Sequence, residues 1–258
     1  MLRIAGVEWL KTKRTPARWL TFLTPFFVAV FLLWYFSGRT ITPGTQTAIF
    51  QTFFEVWSAL VIPVGTGLLA GLMSHQEALA GHYHGWLATK RPRRQLYAGK
   101  LMMLVFLGSF STFLATMALV AGLHLILDIT VAWPVYLFAA ILAIVGMLPL
   151  LAFHCWLSLI WGFGASIGVG GIGLLIAALM VTRLGDAIWP WVPWAWPVRF
   201  PVLAGVFLPG LNLPPETSFD VVIRQMTQGM VHAGIFFVVM LMGGLLWFER
   251  WEGRKNDD

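Results

Sequence analysis

The chain has 258 residues, 59% of them apolar and 11% charged, with a net charge of +6 and a mean hydropathy of +0.79. A soluble domain is roughly 45–50% apolar and about 25% charged, and a fold of this size cannot hide so much apolar surface behind so few charges. A soluble enzyme, a disordered tail and a disulfide scaffold are thereby excluded, the last also because Cys155 stands alone; an integral membrane protein remains.

About 20 apolar residues cross a hydrocarbon core of about 30 Å, and a buried charge is costly there, so charge-free runs mark the crossings. Such runs predict spans at 20–36, 53–73 and 101–127. From Ile129 to Thr182 no residue carries a formal charge, a stretch too long for one crossing. It must fold back, and Trp161-Gly162-Phe163-Gly164 is the natural turn, which gives spans at 133–160 and 165–182. A run at 229–248 makes six. The expected fold is all-α, a single transmembrane domain over 1–258.

The basic residues are unevenly placed. Arg3, Lys11, Lys13, Arg14 and Arg18 precede the first span. Lys90, Arg91, Arg93, Arg94 and Lys100 lie in the second connection, and Arg250, Arg254 and Lys255 in the tail. Six spans put these three groups on one side, which the positive-inside rule makes cytoplasmic, together with both termini. The chain is thus expected to be a multi-pass membrane protein with these groups on its cytoplasmic side. No small-x-small cleavage site closely follows Phe36, which argues against a cleaved signal peptide. Anionic headgroups account for the basic tail without nucleic acid.

Residues 1–18 read as a helix lying on the membrane surface, with Leu2, Ala5, Trp9 and Leu10 at helical spacing and Lys11, Arg14 and Arg18 on another face. Glu8 and Lys11 are placed to pair at i, i+3. In the second connection a helix is expected from Gln76 to about Trp86, and Pro92 ends any helix before the basic cluster. A helix plus a basic turn, longer than a connector requires, suggests a docking surface for a soluble partner. Between the last two spans, Trp189-Pro190-Trp191-Val192-Pro193-Trp194-Ala195-Trp196-Pro197 combines proline, which blocks a continuous helix, with indole, which favours the headgroup level. A broken or re-entrant outer element follows, either an aromatic belt or a surface where an amphipathic substrate enters or leaves, with Trp189, Trp191, Trp194 and Trp196 as candidate contacts. Glu55, Asp128 and Asp186 fall near predicted outer ends, and Glu55 is the candidate to meet a cationic peptide.

Other signals carry less. Gly168-x-Gly170-x-x-Gly173 matches a dinucleotide fingerprint but lies inside an apolar span, without the strand and helix that fingerprint needs; Gly164-x-x-x-Gly168 and Gly67-x-x-x-Gly71 suit close helix packing instead. Gly-x4-Gly-Lys-Ser/Thr is absent, so this chain is not expected to cradle ATP. His82 and His84 diverge on a helix, while His124, His154 and His232 fall on three predicted spans, and no metal site is expected. No Ser-His-Asp pattern or His-Glu-x-x-His is visible, and no catalytic residue is assigned.

Glu77, Gly81, Leu87, Pro92, Arg94 and Lys100 resemble the cytoplasmic loop of type 2 ATP-binding-cassette permeases. Val7-Glu8-Trp9-Leu10-Lys11-Thr12-Lys13-Arg14 is similar to the elbow helix of that family. Thr89-Lys90-Arg91 departs from it, since apolar residues usually stand there. The size and the tryptophan- and proline-rich segment look most like the permeases that give immunity to lantibiotics. The resemblance implies a coupling helix carrying Gln76, Glu77, Gly81, Trp86, Leu87, Pro92 and Arg94, and an elbow carrying Glu8, Trp9, Lys11, Lys13 and Arg14. It implies a non-enzymatic exporter subunit, a separate subunit holding ATP and magnesium, and a second permease chain, identical or related. The implied cargo is a lantibiotic-like peptide, with a lipid or drug as the nearest alternative. From a different class, an intramembrane enzyme acting on lipid-linked substrates would need polar residues converging at mid-span. A structural or signalling membrane subunit is the third alternative.

Overall fold

The structure is a computed structural model and describes residues 2–42, 44–81, 83–89, 91–209 and 219–252. His82, Lys90, Arg254 and Lys255 lie outside the described residues, as do the side chains of residues 2–5, including Leu2, Arg3 and Ala5. In hydrocarbon every backbone N–H and C=O must find a partner within the protein, which favours helices. All regular elements among the described residues are helical. They are α1 (Leu2–Lys11), α2 (Pro16–Ser37), α3 (Thr45–Val56), α4 (Ile62–Leu79), α5 (His84–Leu87), α6 (Arg93–Leu127), α7 (Trp133–Val181), α8 (Trp196–Ala204) and α9 (Phe219–Glu249). A π-turn over Trp57–Val61 joins α3 and α4 into one rod.

Among the described residues, five helical stretches are long and apolar enough to cross a membrane: Pro16–Ser37, Thr45–Leu79, Arg93–Leu127, Trp133–Val181 and Phe219–Glu249. Three of them, Thr45–Leu79, Arg93–Leu127 and Phe219–Glu249, extend well past the apolar runs that mark them. Hydropathy sees the hydrocarbon-compatible middle, whereas caps set the ends. Pro16 opens α2, where a fixed φ suits the first turn, and Pro92 stands immediately before α6.

The 49 residues of α7 would stretch about 74 Å if straight. They do not, because Gly162 sits at φ 83° and ψ −168°, a conformation essentially confined to glycine. His154 and Ser166 are separated by 12 residues, about 18 Å along a straight helix, yet His154 Nδ1 and Ser166 Oγ lie 3.2 Å apart. The chain therefore doubles back at Gly162, within the turn expected from the sequence. The rod α4 lies against both limbs. Ser74 Oγ donates to the Ser158 carbonyl (3.0 Å) on one limb, and Ser166 Oγ on the other donates to the Gly67 carbonyl (2.8 Å). A Cβ on Gly67 would fall 2.5 Å from the Ser166 carbonyl oxygen, and one on Gly71 would meet Phe163 at 3.0 Å. Those two glycines pack as expected. Gly164 and Gly168 do not, since both face open space; Gly170, close to the Pro63 carbonyl, takes the packing role.

The surface helix is shorter than expected. It ends at Lys11, Arg14 adopts a left-handed φ of 63°, and Arg18 belongs to α2. Arg14 and Arg18 are thus not on a shared helical face with Lys11; instead the Arg18 guanidinium sits 3.7 Å above the Trp9 ring. Between α7 and α8 the chain runs as single 3-10 turns at Arg183–Gly185, Trp189–Trp191 and Pro193–Ala195, the last two opened by Pro190 and Pro193. This element wedges between α7 and α9: a Cβ on Gly146 would meet the Pro197 nitrogen at 2.5 Å, and one on Gly229 would meet the Trp189 ring at 2.5 Å.

Replacing Gly162 by Ala forces a β-carbon into glycine-only backbone. The expected cost is about 1–3 kcal/mol, visible as a lower melting temperature of the purified chain in detergent. An unchanged melting temperature would contradict the hairpin geometry.

Candidate functional site

The densest polar arrangement lies at the end of the bundle that carries the α4–α6 connection. Four ionic residues from three helices meet there: Glu8 and Lys11 of α1, Glu77 of α4 and Lys100 of α6. Glu8, Glu77 and Lys100 are 3%, 6% and 2% exposed. Lys11 Nζ donates to Glu8 Oε1 at 2.8 Å and to Glu77 Oε1 at 2.6 Å. Lys100 Nζ donates to the same Glu77 oxygen at 3.1 Å and to the Met73 carbonyl at 3.0 Å, and lies 3.7 Å from Glu8 Oε2. The Trp86 ring faces both ammonium groups, with its centroid 4.7 Å from Lys100 Nζ and 5.9 Å from Lys11 Nζ. Two carboxylates and two ammonium groups balance in charge, which makes burial tolerable. Burial works against the charged form of Lys11, but Glu8 first and then Glu77 outweigh it and hold its pKa above the ordinary 10.5.

The pairing of Glu8 with Lys11 is legible from their spacing. The tertiary partners Glu77 and Lys100 are not, because nothing local brings residues 8, 77 and 100 together. Glu77 was expected as an outward polar contact of a helix running from Gln76 to Trp86. It points inward instead, and that helix is not continuous. α4 stops at Leu79, Gly81 takes a φ of 109° and Tyr83 a left-handed φ of 68°, and α5 spans only His84–Leu87. Gly81 is exposed, Gln76 and Leu87 are half-buried, and Trp86 is buried. Pro92 and Arg94 are exposed, and Arg94 forms an ion pair with Glu249 at the end of α9 (Nη2 to Oε2, 2.9 Å). Arg93 donates to the Trp251 carbonyl. Of the remaining α1 candidates, Trp9 meets the Phe106 ring edge-on at 5.8 Å, and Lys13 is exposed in the turn after the helix. Between α1 and the connection opens a cleft of ≈ 730 Å³, walled by Val7, Lys11, Trp86, Thr89 and Arg91 with Glu8 and Glu77 below.

At the opposite end the four tryptophans part company. Trp189 and Trp196 are buried in packing, Trp196 Nε1 donating to the Pro190 carbonyl (2.9 Å). Trp194 packs on Gly173. Only Trp191 is broadly exposed, at 68%, with its ring 4.0 Å from that of His232. Glu55 was expected at a helix end; the rod begins at Thr45, so Glu55 lies well inside it and is half-buried. Asp186 pairs with Arg199 (2.8 Å), whose Nε also caps the Met180 carbonyl (2.7 Å). Among the described residues no three His, Cys, Asp or Glu side chains gather as metal ligands would.

Five apolar crossing helices and a fold without strands among the described residues define a multi-pass membrane protein. Residues 5–179 match the family model described as ABC-2 family transporter protein, about two thirds of the chain, and the chain belongs to that family of membrane permeases. The match takes in most of α1, the ion cluster and nearly all of α7, and stops short of the tryptophan-rich element and α9. No curated protein and no solved structure matches the chain.

Breaking one side of a buried ion cluster strands the other. Lys100→Met should destabilise the chain by about 3–5 kcal/mol, whereas Lys100→Met combined with Glu77→Gln should recover part of that loss. Thermal unfolding of the three proteins in detergent reads both effects; equal melting temperatures for the single and double variants would contradict the coupling.

Proposed function

We propose that this chain is the permease subunit of an ATP-driven exporter, with six membrane crossings. The two limbs of α7 serve as separate spans, and the chain acts as a single permease domain in a bacterial cell membrane. The end that carries α1, the 80–92 connection and the C-terminus faces the cytoplasm, a placement supported by the basic residues concentrated there. A separate ATP-hydrolysing subunit, holding ATP and magnesium, docks on the exposed connection around Gly81, Gly85, Pro92 and Arg94. A second permease chain, identical or related, completes the path. This chain itself carries out no bond chemistry.

The observation that carries the proposal is the ion cluster. A connection needed only to join two spans has no use for a buried charge network at its root. Glu77 stands one turn from the connection, and its two ammonium partners belong to α1 and α6. Movement of the connection is therefore felt by three helices at once. Closure of the ATP-hydrolysing subunits would push the connection, α4 would shift with it, and the spans would rearrange to release cargo outward. The cargo we favour is an amphipathic cationic peptide of the lantibiotic type, met by the exposed Trp191 and the outer end of the bundle; a lipid or drug is the alternative.

The chain purified in mild detergent should bring down a soluble ATPase. Deleting residues 80–89 should release that ATPase while the permease remains in the membrane. A chain that purifies alone and hydrolyses lipid-linked substrates would overturn the proposal.

A further inference from the structure

The 80–92 connection touches a fourth helix. Its two aromatic residues lie against the last turn of α9 and the residues just beyond it. Trp86 meets Phe248 with ring centroids 5.0 Å apart, and Tyr83 meets Trp251 edge-on at 4.9 Å. Phe248, wholly buried, also meets Tyr97 of α6 at 5.7 Å and Trp251 at 5.4 Å. The Arg93 bond to the Trp251 carbonyl and the Arg94–Glu249 ion pair flank these rings. Tyr83 holds its ring there from a left-handed backbone position that a non-glycine residue rarely adopts. Above the rings, α9 is the least enclosed of the long helices, with 17% of its apolar window buried against 39–61% in the other four. A helix that leaves most of its apolar window uncovered and is gripped at several points at one end is suited to being moved from that end.

We infer that Tyr83, Trp86, Phe248 and Trp251 form a clasp that carries displacement of the connection to α9, so that α9 is a moving span of the transport cycle. They are positioning residues, and the inference rests on the exporter proposal above. The ion cluster passes the push to α1 and α6; the clasp passes it to α9. The two routes meet at Trp86, whose ring faces both ammonium groups as well as Phe248, and at the start of α6, where Tyr97 packs on Phe248.

The test uses the permease bound to its ATPase in lipid vesicles. Cys155 is replaced by Ser and a spin label is attached through Gly234→Cys on α9, where nothing lies within 4 Å of an added β-carbon. With the clasp intact, ATP should change the label's spectrum. In the Phe248→Ala, Trp251→Ala double variant, ATP hydrolysis should continue while the ATP-dependent change shrinks at least about fivefold, the lower range of a typical coupling. Trp251→Phe alone, which keeps an aromatic edge, should retain it. A label silent to ATP with the clasp intact, or an undiminished response without it, would overturn the inference and leave the exporter proposal standing. Failure to isolate any ATPase with the unmodified chain would overturn that proposal and the inference with it.

Discussion

A lysine removed from water at the edge of a membrane constrains everything near it. Lys100 is almost wholly enclosed, and an ammonium group in such a place must keep its charge satisfied within the protein. Its partners are the Glu77 carboxylate, the more distant Glu8, the Met73 carbonyl and the face of Trp86. They come from three separate parts of the chain, Met73 and Glu77 both from α4, so the position of α1, the end of α4, the start of α6 and the short helix α5 are fixed together. A surface ion pair would tolerate slack, because water replaces a lost partner at little cost. A buried one does not, and any displacement of one member must be followed by the others or leave a charge without its partner.

Much of the scaffold is legible in the order of the amino acids, for a simple reason. Apolar length is a local property, and the bilayer imposes it on every crossing. The runs at 20–36, 101–127 and 229–248 each lie inside an observed helix, and the charge-free stretch of 54 residues had to reverse. Its reversal falls at Gly162 because the sequence there supplies the one residue type that accepts such a backbone. Helix ends are less legible, since caps and prolines decide them and hydropathy does not see either. Tertiary roles are least legible. Glu77 looks the same in sequence whether it faces a partner or the interior, and its direction is set by Lys11 and Lys100, residues 66 and 23 positions away.

The tryptophan-rich element teaches a related lesson. Four indoles within nine residues read as one aromatic surface, but prolines spaced three and four residues apart point them differently. Trp189 and Trp196 become packing for α8 and α9, Trp194 fills the space that Gly173 leaves, and Trp191 alone looks outward. The same composition therefore supplies both the plug that seats the element and the single ring it displays. The clustering is visible in the sequence, but the division of labour depends on φ and ψ at each proline.

The π-turn between α3 and α4 has a consequence beyond local geometry. A turn of this kind amounts to one residue inserted into an α-helix, and each residue advances the helix by about 100°. The faces shown by 45–56 and by 62–79 are consequently set out of phase, which is how Phe50 and Phe53 can be enclosed on one half while Gly67 and Gly71 meet the folded-back limb of α7 on the other. A cousin lacking the extra residue would align only with a one-position gap in the middle of a membrane crossing, where gaps are ordinarily dismissed as mistakes.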